Sequence, residues 1–190
     1  MTTPEAVEFE PHPHANIFCL MEGEEFERLK ADIKANGQIE PITVKDKYII
    51  DGRNRYRACR ELDIAPATKT YDGYDIIGYV LSANLHRRHL DESQRAMAAA
   101  KLVTTKLGSN RYSKGSSIDL PTAAKLLNVS EVSVKRAKEV LEKGTPELVA
   151  LVERGHVAAS TAGKVAKLPE AEQAELVQKG ADAICERQRP

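Results

Sequence analysis

The stretch "IIDGRNRYRACREL", residues 49–62, places four arginines within eight positions directly after an aspartate and a glycine. Guanidinium groups stay charged and present a planar fork of donors that matches phosphate oxygens. A helix starting after Gly52 would add free backbone N–H groups and the positive end of its dipole. Gly52, Arg53, Asn54, Arg55 and Arg57 are therefore candidate phosphate-binding residues. At helical spacing Arg53, Arg57 and Arg60 share one face while Arg55 points elsewhere. Each charge-assisted bond to an anion would contribute about 1.5–3 kcal/mol. Two nearby carboxylates, Asp51 and Glu40, are candidates for positioning a metal or a water, with Arg55 stabilising charge that develops on phosphate. Blander alternatives stay open: a solvated helix face whose arginines pair with Glu61 or Asp63, and an aspartate that only shapes its own turn.

A second basic segment bears on that choice. "SANLHRRHLDESQR" sets Asn84, His86, Arg87, Arg88 and His89 at another helix end. Two basic turns in one small unit repel each other unless an anion lies between them, which points to a polyphosphate. Asn84, Arg87 and Arg88 join the phosphate-binding set on that ground.

The elements that position these residues can be read from periodicity. Phe26, Leu29 and Ile33 mark an amphipathic helix that Asn36-Gly37 stops. Ile42–Val44 and Tyr48–Ile50 read as two short strands joined by a tight polar turn. Residues 53–62 form a helix, "APATKTY" a further strand, and "DIIGYVLSANL" another helix. Asp91 and Gln94 resemble a capping box that opens an alanine-rich helix. "GSNRYSKGSS", residues 108–117, has linker composition, and everything after it reads as helical, with Thr145-Pro146 as a helix start. The fold class is thus α+β: a small α/β domain over 1–90, a connecting helix over 91–107, a linker over 108–117 and an all-helical domain over 118–190.

Within that last region "LPTAAKLLNVSEVSVKRAKEVLEKG" carries the steric pattern of a helix-turn-helix. Ala124 is small where two helices would cross, and Asn128 tolerates the left-handed backbone of the turn. Val129, Val134 and Ala137 fall at positions that must be buried, and Ser130 can cap the second helix. Ser130, Ser133, Lys135 and Arg136 are the candidate DNA-binding residues. An αα-hairpin with solvated lysines is the alternative. Glu131, Glu139 and Glu142 would reduce nonspecific attraction, so such a domain should bind weakly unless a homodimer or a second site assists it.

Bulk properties narrow the setting. The 190 residues carry no net charge, yet residues 1–50 balance at −5, residues 51–118 at +5 and the remainder at zero. The middle third can attract an anion although the whole chain does not. No apolar run is long enough for membrane insertion, and the three scattered cysteines suit a reducing, cytoplasmic setting without a disulfide framework. His12 and His14 lack a third ligand nearby, so no metal site is expected there.

Taken in order, "GQIEPITV…YIIDGRNRYRAC", "ANLHRRHL" and the helical stretch from "VSVKRAKEV" onward resemble the ParB/sulfiredoxin superfamily over roughly residues 10–180. The first segment is similar to that family's GERRxRA phosphate motif and the second to its ENxxR motif. The resemblance implies a nucleoside triphosphate pocket, for ATP or CTP with Mg2+, coupled to a helix-turn-helix that reads DNA. By position, Gly52, Arg53, Asn54, Arg55 and Arg57 fall on the first motif, and Asn84 and Arg87 on the second, with Asn84 as the metal contact. Two positions depart from the family: Arg53 stands where ParB has glutamate, and Ala83 replaces a glutamate that helps to hold magnesium. No counterpart of ParB's C-terminal dimerisation domain is recognisable, and a sliding clamp is not expected. Sulfiredoxin chemistry is excluded, because its catalytic cysteine aligns with Arg53. The superfamily also includes ParB-like nucleases and short plasmid proteins that limit DNA transfer. The expected function is a plasmid- or phage-type protein that binds DNA and hydrolyses nucleoside triphosphate, with DNA cleavage as a further activity. The alternative is a non-catalytic regulator or partition accessory that uses nucleotide as a ligand.

Overall fold

A computed structural model describes residues 8–85, 90–104 and 118–186. The chain divides into two compact units, Met1–Asn84 and Leu85–Pro190.

The first unit is built on a four-stranded sheet of order β1-β3-β2-β4, formed by β1 (Glu10–Pro11), β2 (Ile42–Lys45), β3 (Tyr48–Asp51) and β4 (Thr68–Thr70). The expected hairpin is β2 and β3, paired antiparallel through a turn in which Asp46 takes φ 53°. Their register slips between Thr43 and Val44, leaving Ile50 as the extra residue next to Asp51, and an irregularity of this kind re-aims the side chains beside it. Strands β1 and β4 add on either side, each parallel to its neighbour. Two-residue β1 leaves no periodic signature, and the sequence does not announce it.

Helix α1 (Gly23–Asn36) ends where predicted: Gly37 takes φ 75° and its N–H bonds the Ile33 carbonyl at 2.9 Å. Its Phe26 and Ile33 pack with Ala58 and Cys59 of α2 (Arg53–Glu61), while Tyr56 of the same helix packs on Ile42, Val44 and Ile49 of the sheet. Helix α2 is thereby fixed on two sides, which holds its first turn in place. Helix α3 (Ile76–Leu85) is tied to β2 by a 3.0 Å bond between the hydroxyls of Tyr79 and Thr43.

Before α1, a 3-10 helix over Pro13–Ile17 is capped by His12, whose Nδ1 accepts the His14 N–H at 3.2 Å. The His12 ring meets Tyr48 edge-on with centroids 5.8 Å apart. Burial, with the neighbouring His14 second, pushes the His12 pKa down from 6.5 to about 4. The folded chain therefore holds fewer protons than the unfolded chain between pH 6.5 and 4, so stability is full above pH 6.5, falls as the pH drops toward 4 and levels off below it. Urea titrations across that range should show a loss of roughly 2 kcal/mol. His12→Asn supplies a capping oxygen in place of Nδ1 and should make the slope shallower, the buried His14 keeping the rest; an unchanged slope would contradict this assignment.

The second unit is helical: α4 (Glu92–Thr104), α5 (Leu120–Leu126), α6 (Glu131–Lys143), α7 (Pro146–Glu153), α8 (Ala159–Val165), α9 (Glu170–Gln178) and α10 (Ala181–Glu186). The capping box is present, with Asp91 N–H to Gln94 Oε1 at 3.0 Å and Gln94 N–H to Asp91 Oδ1 at 2.8 Å. Thr145 caps α7 by accepting the Leu148 N–H at 3.3 Å. Helix α4 differs from its expected role as a connector. Its alanines Ala96, Ala98, Ala99 and Ala100 are buried with Met97 and Leu102, and it packs on α5, α6, α7 and α8 at the centre of this unit. Small side chains let several helices approach it closely. The expected linker, residues 108–117, lies outside the described residues.

Candidate functional site

Gly52 takes φ 93°, a left-handed conformation that any side chain would strain. A Cβ there would also lie 3.3 Å from the Ile42 Cα and 3.1 Å from Arg55 Nη2. Conformation and space both demand glycine. As N-cap of α2 it brings no side chain to cover the helix start. The positive end of α2 is thus opened by a bare turn and followed by three arginines in five residues.

The arginines diverge. Arg53 bonds the Asn16 Oδ1 at 2.7 Å and the Phe18 carbonyl at 2.5 Å, clamping the end of the 3-10 helix. Asn54 is buried and its Oδ1 accepts the Met21 N–H at 3.1 Å, so it is a structural tie to the approach to α1, unlike the phosphate ligand expected. Arg57 bonds Glu61 at 3.0 Å and stacks on the Phe26 ring with its Cζ 3.8 Å from the centroid. That contact follows the solvated-face alternative. Arg60 approaches Glu8 at 3.7 Å.

Arg55 is different. Its Nη1 lies 3.3 Å from Glu40 Oε2, and its Nη2 lies 3.1 Å from Asp51 Oδ2 and 3.4 Å from the Pro41 carbonyl. The side chains of Arg55 and Asp51 are only 18% and 11% exposed, whereas Glu40 is 60% exposed. The buried Arg55 Nε has no hydrogen-bond partner. All three residues expected to carry catalysis therefore form one cluster beside Gly52, and both carboxylates pair with the one arginine. In this state the cluster is an ion-paired lock, with neither carboxylate standing ready as a base.

The second basic turn is only partly described. Asn84 donates its Nδ2 to the Val80 carbonyl at 2.8 Å within α3, while Arg87 and Arg88 lie outside the described residues. Magnesium finds a poor donor set among the described residues. Ala83 offers no carboxylate, Asn84 commits its Nδ2 to Val80 and can bring a single oxygen, Glu40 and Asp51 hold Arg55, and no group of three His, Cys, Asp or Glu residues converges among the described residues. The described residues do not form a protein-held magnesium site.

In the second unit, Asn128 takes φ 51°, Ala124, Val134 and Ala137 are buried, and Val129 is half-buried. Ser130 caps α6, its Oγ accepting the Ser133 N–H at 3.0 Å. Lys135 and Arg136 are exposed. Ser133 corrects its expected outward place: it is half-buried and donates its hydroxyl to Glu92 Oε1 at 2.7 Å. One position before buried Val134, it falls on the flank of α6 that meets α4. A cavity of about 200 Å³ lies beside it, bordered by Glu92, Ser93, Ser133, Arg136 and Ser160.

No protein-family model matches the chain, and no curated protein matches it in sequence. Solved structures do. A Pnob8-like ParB-N domain matches with a TM-score of 0.54 at 17% identity, over 94% of this chain and 89% of its own. The C-terminally truncated chromosome-partitioning protein ParB from Caulobacter crescentus, complexed to the centromeric parS site, matches with a TM-score of 0.40 at 15% identity, over 90% of this chain and 93% of its own. The same truncated protein complexed with CTP-gamma-S gives 0.33 at 17% identity, over 93% and 97%. The first likeness shows the fold: a small ParB-N-type α/β domain followed by helices.

Proposed function

We propose that the chain is a ParB-like protein that binds a nucleoside triphosphate at the turn Asp51–Arg57 and DNA through α6, with the nucleotide acting as a ligand. The observation that carries this reading is Gly52, held left-handed against the Ile42 backbone at the open start of α2. A phosphate chain laid there meets backbone N–H groups and exchanges Glu40 and Asp51 for its own oxygens at Arg55. Arg53 and Arg57 lie within the same turn and a half. ATP and CTP are the candidate nucleotides. On the DNA side, Lys135 and Arg136 have no carboxylate within ion-pair reach among the described residues, so they are the proposed phosphate contacts. Two cations give weak attraction, and a homodimer is the proposed DNA-bound form.

Hydrolysis is a second reading, favoured by the convergence of Glu40, Asp51 and Arg55. A phosphate that draws Arg55 away releases both carboxylates next to itself, where one of them can orient water. DNA cleavage, and the blocking of conjugative transfer by analogy with the plasmid fertility-inhibition protein Osa, belong to this second reading. Binding and turnover of each nucleoside triphosphate, with and without magnesium and DNA, separate the two. Saturable binding without turnover is expected of the ligand reading. Turnover or cleavage that Arg55→Ala abolishes, in protein purified identically, would establish the second. Absence of binding by every nucleotide would contradict both.

A further inference from the structure

Given the DNA-binding reading of α5 and α6, we infer that Val132 reads a thymine 5-methyl group in the major groove. Helix α6 turns Val134, Ala137 and Val140 into the core, and Val132 and Lys135 lie on the opposite face. Val132 is 53% exposed in the first turn. A single exposed apolar side chain is ordinary on a protein surface, so its place on this helix decides its meaning. In a helix-turn-helix the first turns of the second helix reach the base edges. There a half-exposed β-branched residue lowers helix propensity and gains only partial burial.

The neighbours of Val132 leave it little competition. Ser133 donates to Glu92, and Ser130 is spent on the cap. Lys138 pairs with Glu142 at 3.6 Å, and Lys143 with Glu139 at 3.1 Å. Lys135 and Arg136 are the cations of α6 left for phosphates or bases. Glu131 opens the helix, where its charge favours the dipole and opposes phosphate. Val132 is thus an exposed, uncharged side chain with no hydrogen-bonding group, in the turn that meets the bases. The thymine methyl is the apolar group that the major groove offers to such a side chain.

The test uses the full chain. A duplex is selected from a randomised pool, and each thymine is then replaced by uracil, which lacks only the methyl. One replacement should weaken binding about fourfold, the worth of one buried methyl group. Val132→Ala should bind the thymine duplex more weakly, by about fourfold for each half-site that the proposed homodimer contacts, and lose no further affinity with uracil. Lys135→Ala should weaken both duplexes and keep their ratio. Selected DNA that is indifferent to every uracil, or a Val132→Ala protein that keeps the discrimination, overturns the role of Val132 and leaves DNA binding standing. A pool that yields no duplex above scrambled DNA overturns DNA binding itself, and Val132 with it.

Discussion

Arg55→Ala should weaken nucleoside triphosphate binding by about 10- to 100-fold and lower stability by roughly 2–3 kcal/mol, while DNA binding through α6 is unchanged. The binding loss follows from removing one charge-assisted fork out of a set of basic groups around a phosphate chain. The stability loss has a separate origin. Asp51 is 11% exposed and faces the guanidinium at 3.1 Å, so truncation leaves a largely desolvated carboxylate without that counter-charge. Glu40, at 60% exposed, regains water at little cost. Arg55→Lys keeps the charge without the fork, so it should recover much of the stability and only part of the affinity. Calorimetric titration of the folded variants, with a urea transition for each, reads both quantities. Unchanged nucleotide affinity in a folded Arg55→Ala protein would place the phosphate site elsewhere.

Gln173→Leu should cost the second unit about 3 kcal/mol, because it strips four buried or part-buried backbone groups of their partner at once. The side chain is 2% exposed. Its Oε1 accepts the Thr145 N–H at 3.0 Å, and its Nε2 faces the carbonyls of Leu168, Lys143 and Ala166 at 2.9, 3.1 and 3.3 Å. One amide thus ties together the end of α6, the cap of α7, the end of α8 and the turn before α9. Leucine has similar volume and would strip this partner from the buried Thr145 N–H and Ala166 carbonyl and from the part-buried carbonyls of Lys143 and Leu168. A urea transition that shifts by less than about 1 kcal/mol would mean that water or rearrangement satisfies them. Because Lys143 ends the helix that carries Val132 and Lys135, the variant should also weaken DNA binding, in proportion to the fraction unfolded.

Local chemistry explains which features are legible in the sequence. Gly37, Gly52, Asn128, Thr145 and the Asp91–Gln94 box act through backbone demands that their residue types announce, and each stands where periodicity places it. Three residues expected at a catalytic cluster, Glu40, Asp51 and Arg55, do meet, although Glu40 is separated from the other two in sequence. What pattern alone does not reveal depends on tertiary partners. Asn54 is turned toward Met21, Ser133 toward Glu92, and Gln173 toward four backbone groups, and none of those acceptors or donors is marked by spacing. The arginines show the same limit. Their number is evident, but whether each meets an anion or a neighbour depends on a fold in which Asn16, Phe18 and Glu61 stand within reach. The central placement of α4 is hidden for another reason: a run of alanines reads equally as a solvated connector or as a close-packed core.

The most direct test is a titration of the isotope-labelled full chain with nucleoside triphosphate, followed by amide NMR. Saturable shifts centred on Gly52 through Arg55, with Asp51 and Glu40 perturbed as their ion pairs to Arg55 exchange, are the expected result. Shifts confined to other segments at saturation, with these amides unmoved, would contradict a phosphate site at the start of α2.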